Sequence, residues 1–137
     1  MAQQNVEALR TAFETFLAGR SEFGIELLDP DVEWDASEIP APDIGGVYRG
    51  PEGVRRFWRE WLAAWEAVQF DYRLMDAGDR VLALIDQRMQ GRSTGIEVPL
   101  GKYAHVYTFR DGLIVHWKAY MRQSDAFEAV GLRPLGT

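Results

Sequence analysis

The chain contains no cysteine, so disulfide bonds and thiolate chemistry are excluded. Histidine is scarce. His105 and His116 are the two, and no His-x-x-x-His spacing exists, so no metal site is expected. There is no glycine-rich phosphate loop and no nucleophile elbow, so no cofactor is expected either. Long apolar runs are missing as well: a stretch such as 81–85, VLALI, stops far short of the ~20 residues that a membrane helix needs. The first ten residues are polar and include Glu7, unlike a secretory signal, and a cytoplasmic protein is the default expectation. Positive charge is in deficit, with 15 Lys and Arg against 21 Asp and Glu and a net charge of −6. Nucleic acid is therefore not an expected partner, because phosphate binding needs clustered positive charge. Arg55, Arg56 and Arg59 do cluster, but Glu52, Glu60 and Glu66 lie among them, as on a solvated helix face.

What is present suits one folded domain covering residues 1–137. Hydrophobic residues make up 47% of the 137-residue chain, enough for a core without staples. Val6, Leu9, Phe13, Phe16 and Leu17 recur at helical spacing and predict a first helix from about residue 5 to 18, with Asn5 as N-cap and Gly19 as stop. A short second helix is expected at about 21–28, broken by Asp29-Pro30-Asp31, and then a short strand over Val32, Glu33, Trp34 and Asp35. Residues 36–50 hold two prolines and three glycines and read as a long loop. Pro51 opens the next helix, where Val54, Phe57, Trp58, Trp61, Leu62 and Trp65 form one wide apolar stripe. The period then changes to two: Phe70, Tyr72 and Leu74 alternate with polar residues, and strands are expected at 80–90, 96–109 and 113–122. Gly101 is expected at a bend, Arg110-Asp111-Gly112 at a hairpin turn, and a last helical turn at 125–130, capped by Ser124 or Asp125. Helices first and hairpin-linked strands afterwards make an α+β plan.

Four stretches carry a resemblance over nearly the whole chain: 27–34, LLDPDVEW; 48–54, YRGPEGV; 91–98, GRSTGIEV; and 107–114, YTFRDGLI. In this order and spacing the chain resembles the SnoaL-like and ketosteroid isomerase-like members of the nuclear transport factor 2-like superfamily. The resemblance implies a cone-shaped fold, with a curved antiparallel sheet, mixed at its edge, wrapped around three N-terminal helices. It also implies a site in the hollow between helices and sheet. Strand parity selects the side chains able to reach that hollow. They are Val81, Ala83, Ile85, Gln87 and Met89; Tyr103, His105, Tyr107 and Phe109; and Val115, Trp117, Ala119 and Met121.

Ketosteroid isomerases resemble this chain in carrying a carboxylate near the end of the first strand, which moves a proton beside a carbonyl. The matching residue is Asp35, with Glu33 as fallback; a loop-capping aspartate is the competing reading. The isomerases' helix tyrosine falls near Ala12 or Phe13, so that phenol is missing. Their strand aspartate falls at or beside His105, an imidazole able to donate to an oxyanion or to move a proton. A buried histidine bonded to Tyr103 or Gln87 is the alternative there. The last-strand aspartate of SnoaL-like cyclases falls at Ala119, which supplies no acid.

The candidate catalytic residues are therefore His105, Asp35 and Tyr107. Candidate ligand-binding residues are Phe13, Trp34 (at the rim), Trp58, Trp61, Ile85, Gln87, Tyr103, Trp117, Ala119 and Met121. Three functions stay open: a cofactor-independent isomerase or cyclase acting on an apolar carbonyl compound, a non-catalytic binder of a small hydrophobic molecule, and a dimeric accessory module packed solid by its tryptophans. Asp86, Arg88, Lys118 and Tyr120 fall on the outward sheet face, where related folds dimerise, so a homodimer through that face is expected.

Overall fold

A computed structural model of the protein describes residues 2–18, 24–39 and 44–132. Helix α1 spans Ala2–Leu17, a 3-10 turn spans Ile25–Leu27, and strand β1 spans Leu28–Asp35. Then come β2 (Val47–Arg49), α2 (Gly50–Ala64), β3 (Trp65–Ala77), β4 (Arg80–Gly91), β5 (Glu97–Arg110), β6 (Leu113–Tyr120) and α3 (Gln123–Val130). The six strands form one sheet in the order β2-β1-β6-β5-β4-β3. All neighbours are antiparallel except β1 and β6, which run parallel. Helices α1 and α2 lie on its concave face.

The strong periodicities become the elements they predict, and the boundaries move for physical reasons. Helix α1 starts at Ala2, so Asn5 sits inside it rather than capping it. Gln3 and Gln4 are good helix formers and let the helix run upstream of the apolar stripe. The expected stop at Gly19 and residues 21–23 of the expected second helix lie outside the described residues; 25–27 form the 3-10 turn. Strand β1 runs through Asp29-Pro30-Asp31, because its ladder with β6 is interrupted between Leu28 and Glu33, where a missing proline N–H breaks no bond. The expected loop hides a strand: β2 pairs with Glu33, Trp34 and Asp35 at the sheet edge. Helix α3 begins at Gln123 after Arg122, with no side-chain cap from Ser124 or Asp125.

Two irregularities shape the hollow. Gly101 has φ +74°, a conformation that favours glycine, where the β4–β5 register slips opposite Gln87 and Arg88. A second slip, between Thr108 and Phe109, corrects the expected parity of β6: Phe109 pairs with Ile114, Thr108 pairs with His116, and Val115 is left over. Ile114, not Val115, joins Trp117 and Ala119 in the concave core. The β5–β6 turn has φ +54° at Asp111 and +81° at Gly112, as a two-residue hairpin turn requires.

The sheet is buried on both faces at its centre. Val81, Ala83, Ile85, Tyr107 and Phe109 face the concave core, while Leu82, Ala104 and Val106 face outward under Ala126, Phe127 and Val130 of α3. Burial on both sides explains why 81–85 reads as a continuous apolar run rather than an alternation. It also places this chain's own helix on part of the outer face. Arg80 ties that helix down by donating to the Ala129 carbonyl at 2.7 Å. Phe127→Ala is expected to cost about 3 kcal/mol of stability, read as a lowered urea midpoint, without loss of the aromatic packing on the concave side.

Candidate functional site

The hollow between α1, α2 and the sheet is a cavity of about 70 Å³. Its floor is strand-borne. Gln87 and Met89 come from β4, Tyr103, His105 and Tyr107 from β5, and Trp117 from β6. Period two puts each of these on the concave side. The roof comes from Phe13 and Phe16 of α1 and from Phe57, Trp58, Trp61 and Leu62 of α2, which recur at three- and four-residue spacing. Ile39, Phe70 and Met121 complete the wall. Phe16, Ile39, Leu62, Phe70 and Met121 keep partial exposure and mark its rim, whereas Phe13, Phe57, Tyr107 and His105 are buried.

Aromatic contacts hold this wall. Trp34 stacks on Trp117 with ring centroids 4.3 Å apart and an interplanar angle of 9°. Phe13 stacks on Tyr72 at 4.6 Å, and the Tyr72 hydroxyl donates to Glu14 at 2.7 Å. Phe57 packs edge-on against Trp58 at 5.0 Å. His105 lies 4.8 Å from the Trp117 ring.

Two polar pairs interrupt the apolar surface. The Tyr103 hydroxyl donates to Gln87 Oε1, and His105 Nδ1 lies 3.3 Å from the Tyr107 hydroxyl. Burial raises the pKa of both phenols far above the ordinary value; for Tyr107 the Trp117 indole N–H opposes the shift and the nearby Tyr103 adds to it. Burial likewise lowers the His105 pKa from 6.5 to about 3. At neutral pH all four groups are uncharged.

Of the candidate residues, the structure gathers His105, Tyr107, Tyr103, Gln87, Phe13, Trp58, Trp61, Trp117 and Met121 around the cavity. Ile85 and Ala119 share the concave face but lie under the lining. Trp34 is not at the rim: it is fully buried, wedged against Trp117 and Phe57. Asp35 is not brought to the cavity. Trp34 takes the inward position, and period two sends Glu33 and Asp35 to the outer face. There Asp35 Oδ1 accepts from the Ser37 N–H at 3.0 Å and the Ser37 hydroxyl at 2.6 Å. Partial burial pulls its carboxyl upward, but the Ser37 bonds and the charges of Lys118 and His116 outweigh that and hold its pKa below 3.8. This is the loop-capping aspartate of the competing reading. Glu33 pairs with Arg49 at 3.0 Å and His116 at 3.4 Å, on the same outer face.

Phe16, Phe57, Leu62, Phe70 and Met89 also line the cavity. Each sat in an apolar stripe or inward set, so parity could have found them. Ile39 had no such signal. It reaches the wall because Glu38 draws residues 37–39 against the end of β6, accepting from the Met121 N–H at 3.1 Å and pairing with Lys118 at 3.7 Å. Among the described residues, no group of three or more His, Asp or Glu side chains is placed to hold a metal ion. No helix among the described residues is long and apolar enough to cross a membrane.

With fold and site in view, the comparisons with known proteins define the class. The model of the SnoaL-like domain family matches residues 8–117, and the chain belongs to that family. No curated protein matches it. Among solved structures, a nuclear transport factor 2-like protein of unknown function from Burkholderia pseudomallei is 22% identical, with a TM-score of 0.75 over 93% of this chain and 97% of that one. TerC, crystallised with polyporic acid, is 22% identical, with a TM-score of 0.72 over 93% of this chain and 98% of its own. A Bacillus subtilis protein described provisionally as an isomerase is 20% identical, with a TM-score of 0.71 over 97% and 96%. At these identities the likeness is one of fold.

Two outcomes follow from the geometry. In the unfolded chain His105 binds a proton near pH 6.5, but the folded chain resists protonation down to about 3. Between those values the unfolded state holds more protons, so stability is full above about pH 6.5 and falls as pH drops, by up to about 1.4 kcal/mol per unit. His105→Gln is expected to flatten that slope in urea melts taken from pH 7 to 4. Removing the tether with Glu38→Ala is expected to speed hydrogen exchange at the Met121 amide about tenfold, the effect of losing one charge-assisted bond. Amides in β4 should be unchanged.

Proposed function

We propose that this chain is a binding protein for a small, neutral, largely apolar carbonyl compound held in the concave cavity. One observation carries the reading. The wall combines aromatic surface with four polar groups that are all uncharged at neutral pH, and no carboxylate, ammonium or guanidinium stands among the described residues lining it. Such a wall receives a ring and hydrogen-bonds an oxygen, but it offers no counter-charge to an ion and no strong base to a C–H bond. At about 70 Å³ the cavity is smaller than the ~150 Å³ cavity that accepts benzene, so a ring enters with displacement of the rim at Ile39 and Met121.

A second reading, proton transfer of the isomerase or cyclase type by His105 with Tyr107, is favoured by the imidazole's place in the wall and its contact with a phenol. It lacks the carboxylate base, since Asp35 faces away. A deuterium-exchange experiment separates the two. With cyclohexanone in D2O, the binding reading expects quenching of tryptophan fluorescence and a raised melting temperature, with no protein-dependent deuteration beside the carbonyl. Deuteration that the protein accelerates and that His105→Gln abolishes would establish the enzyme instead. A homodimer through the outer sheet face would use the part that α3 leaves open, around Asp86, Arg88 and Lys118, because Tyr120 already packs against the α3 cluster.

A further inference from the structure

We infer that the far end of the sheet, where the β3–β4 and β5–β6 turns lie, carries a second binding site, for a small neutral polyol. The site is a cleft of about 680 Å³ between those two turns and the first turns of α1. Among the described residues it shares no lining side chain with the concave cavity. Residues 78–79 and 111–112 form one wall, and Gln4, Asn5 and Ala8 form the other. The turns are held side by side by the Phe109 N–H, which donates to the Asp79 carbonyl at 2.8 Å.

One side chain carries the inference. Asn5 heads the row Asn5, Leu9, Phe13 on α1, where four-residue spacing keeps all three on the face turned to the sheet. Leu9 and Phe13 fill that row with buried apolar surface, but its first place holds an amide. Asn5 is 8% exposed and borders the cleft, and among the described residues its side chain makes no hydrogen bond. A buried amide without partners is unfavourable, and alanine would suit the helix better. The penalty is relieved when a molecule in the cleft meets the amide's N–H and C=O.

The neighbouring groups select that molecule. Asp79 and Asp111 stand on the facing wall, and no lysine or arginine lines the cleft among the described residues. The arginines next to them in sequence are engaged elsewhere. Arg80 donates to the Ala129 carbonyl at 2.7 Å and comes only within 3.9 Å of Asp79, and Arg110 pairs with Asp29 at 3.8 Å. An anion is therefore repelled. An ammonium ion meets the carboxylates but not the N–H ends of Asn5 and Gln4, because it only donates. A hydroxyl group both donates and accepts, so adjacent hydroxyls on one carbon skeleton satisfy carboxylates and amides together.

The test titrates the full-length 15N-labelled protein with three probes: myo-inositol, butylammonium and inorganic phosphate. It follows the Asn5 side-chain amide and the backbone amides of Gly78 and Gly112. myo-Inositol is expected to shift all three saturably and to leave the Trp117 indole signal unmoved. Asn5→Ala is expected to weaken that binding at least about tenfold without lowering the melting temperature, a combination that a merely structural asparagine would not give. Asp111→Gly, which suits the φ of +54° there, is expected to weaken it as well. Should a variant fail to fold, the wild-type titration still decides. Absence of a saturable shift at Asn5 overturns the site, and so does binding that Asn5→Ala retains in full. Tighter binding of butylammonium or phosphate than of myo-inositol overturns the polyol class.

Discussion

The structure turns on the contact between the first strand and the last. Strand β1 lies parallel to β6, with Trp34 beside Trp117 in the ladder and their rings stacked 4.3 Å apart. This pairing joins the helical first third of the chain to the hairpin-built remainder, which would otherwise share only helix-on-sheet packing. It also sets parity on both strands at once. With Trp34 inward, Glu33 and Asp35 must face out. With Trp117 inward, its indole meets Tyr107 and the His105 ring, so the polar edge of the cavity is arranged from behind by the same stack.

A second consequence is a division of the sheet's outer face. Helix α3 covers its centre with Phe127 and Val130, and the β1–β6 side carries paired polar groups: Glu33 with Arg49 and the His116 ring, and Lys118 with Glu38. Those pairs are partly exposed and contribute little to stability. They do, however, keep apolar area off that side. Helix α3 thus supplies, from within the chain, burial for the outward side chains of β4 and β5.

Much of this was legible in the residues, and the failures have a common physical origin. The residues from Val81 to Ile85 and from Tyr103 to Tyr107 face as period two requires, because the β4–β5 ladder between Arg80–Thr108 and Gln87–Gly101 is uninterrupted. The same rule misassigned Val115, since a register slip after Thr108 inserts one residue and reverses the facing of its neighbours. No side-chain pattern announces a bulge whose extra residue, Val115, simply extends the apolar pair Leu113 and Ile114. Asp35 illustrates a different limit. Family likeness placed a carboxylate at the strand end, but whether that carboxylate faces the hollow depends on a single step of parity, and Trp34, larger and apolar, claims the inward place. Strand β2 was hidden for a third reason: three residues among glycines carry no period, and the strand exists because the exposed edge of β1 accepts them.

The neutrality of the cavity is a consequence of how it is built. Every polar group in the wall reaches it from a strand buried on its other face or roofed by tryptophans, so a charge there has little water to relax it, and the burial that holds His105 unprotonated would act on any ionisable residue in its place. A carboxylate on this floor would be driven toward its protonated form unless a second charge accompanied it. Tyrosine, glutamine and neutral histidine avoid that cost, and they can be satisfied in pairs by one another. The same pairing limits what they do to a bound molecule. Each phenol is already engaged with a nitrogen or oxygen of the wall. Such a wall can orient an oxygen and polarise its bond to carbon, but taking a proton from carbon requires a base, and the carboxylate best suited to that role faces outward, bonded to Ser37.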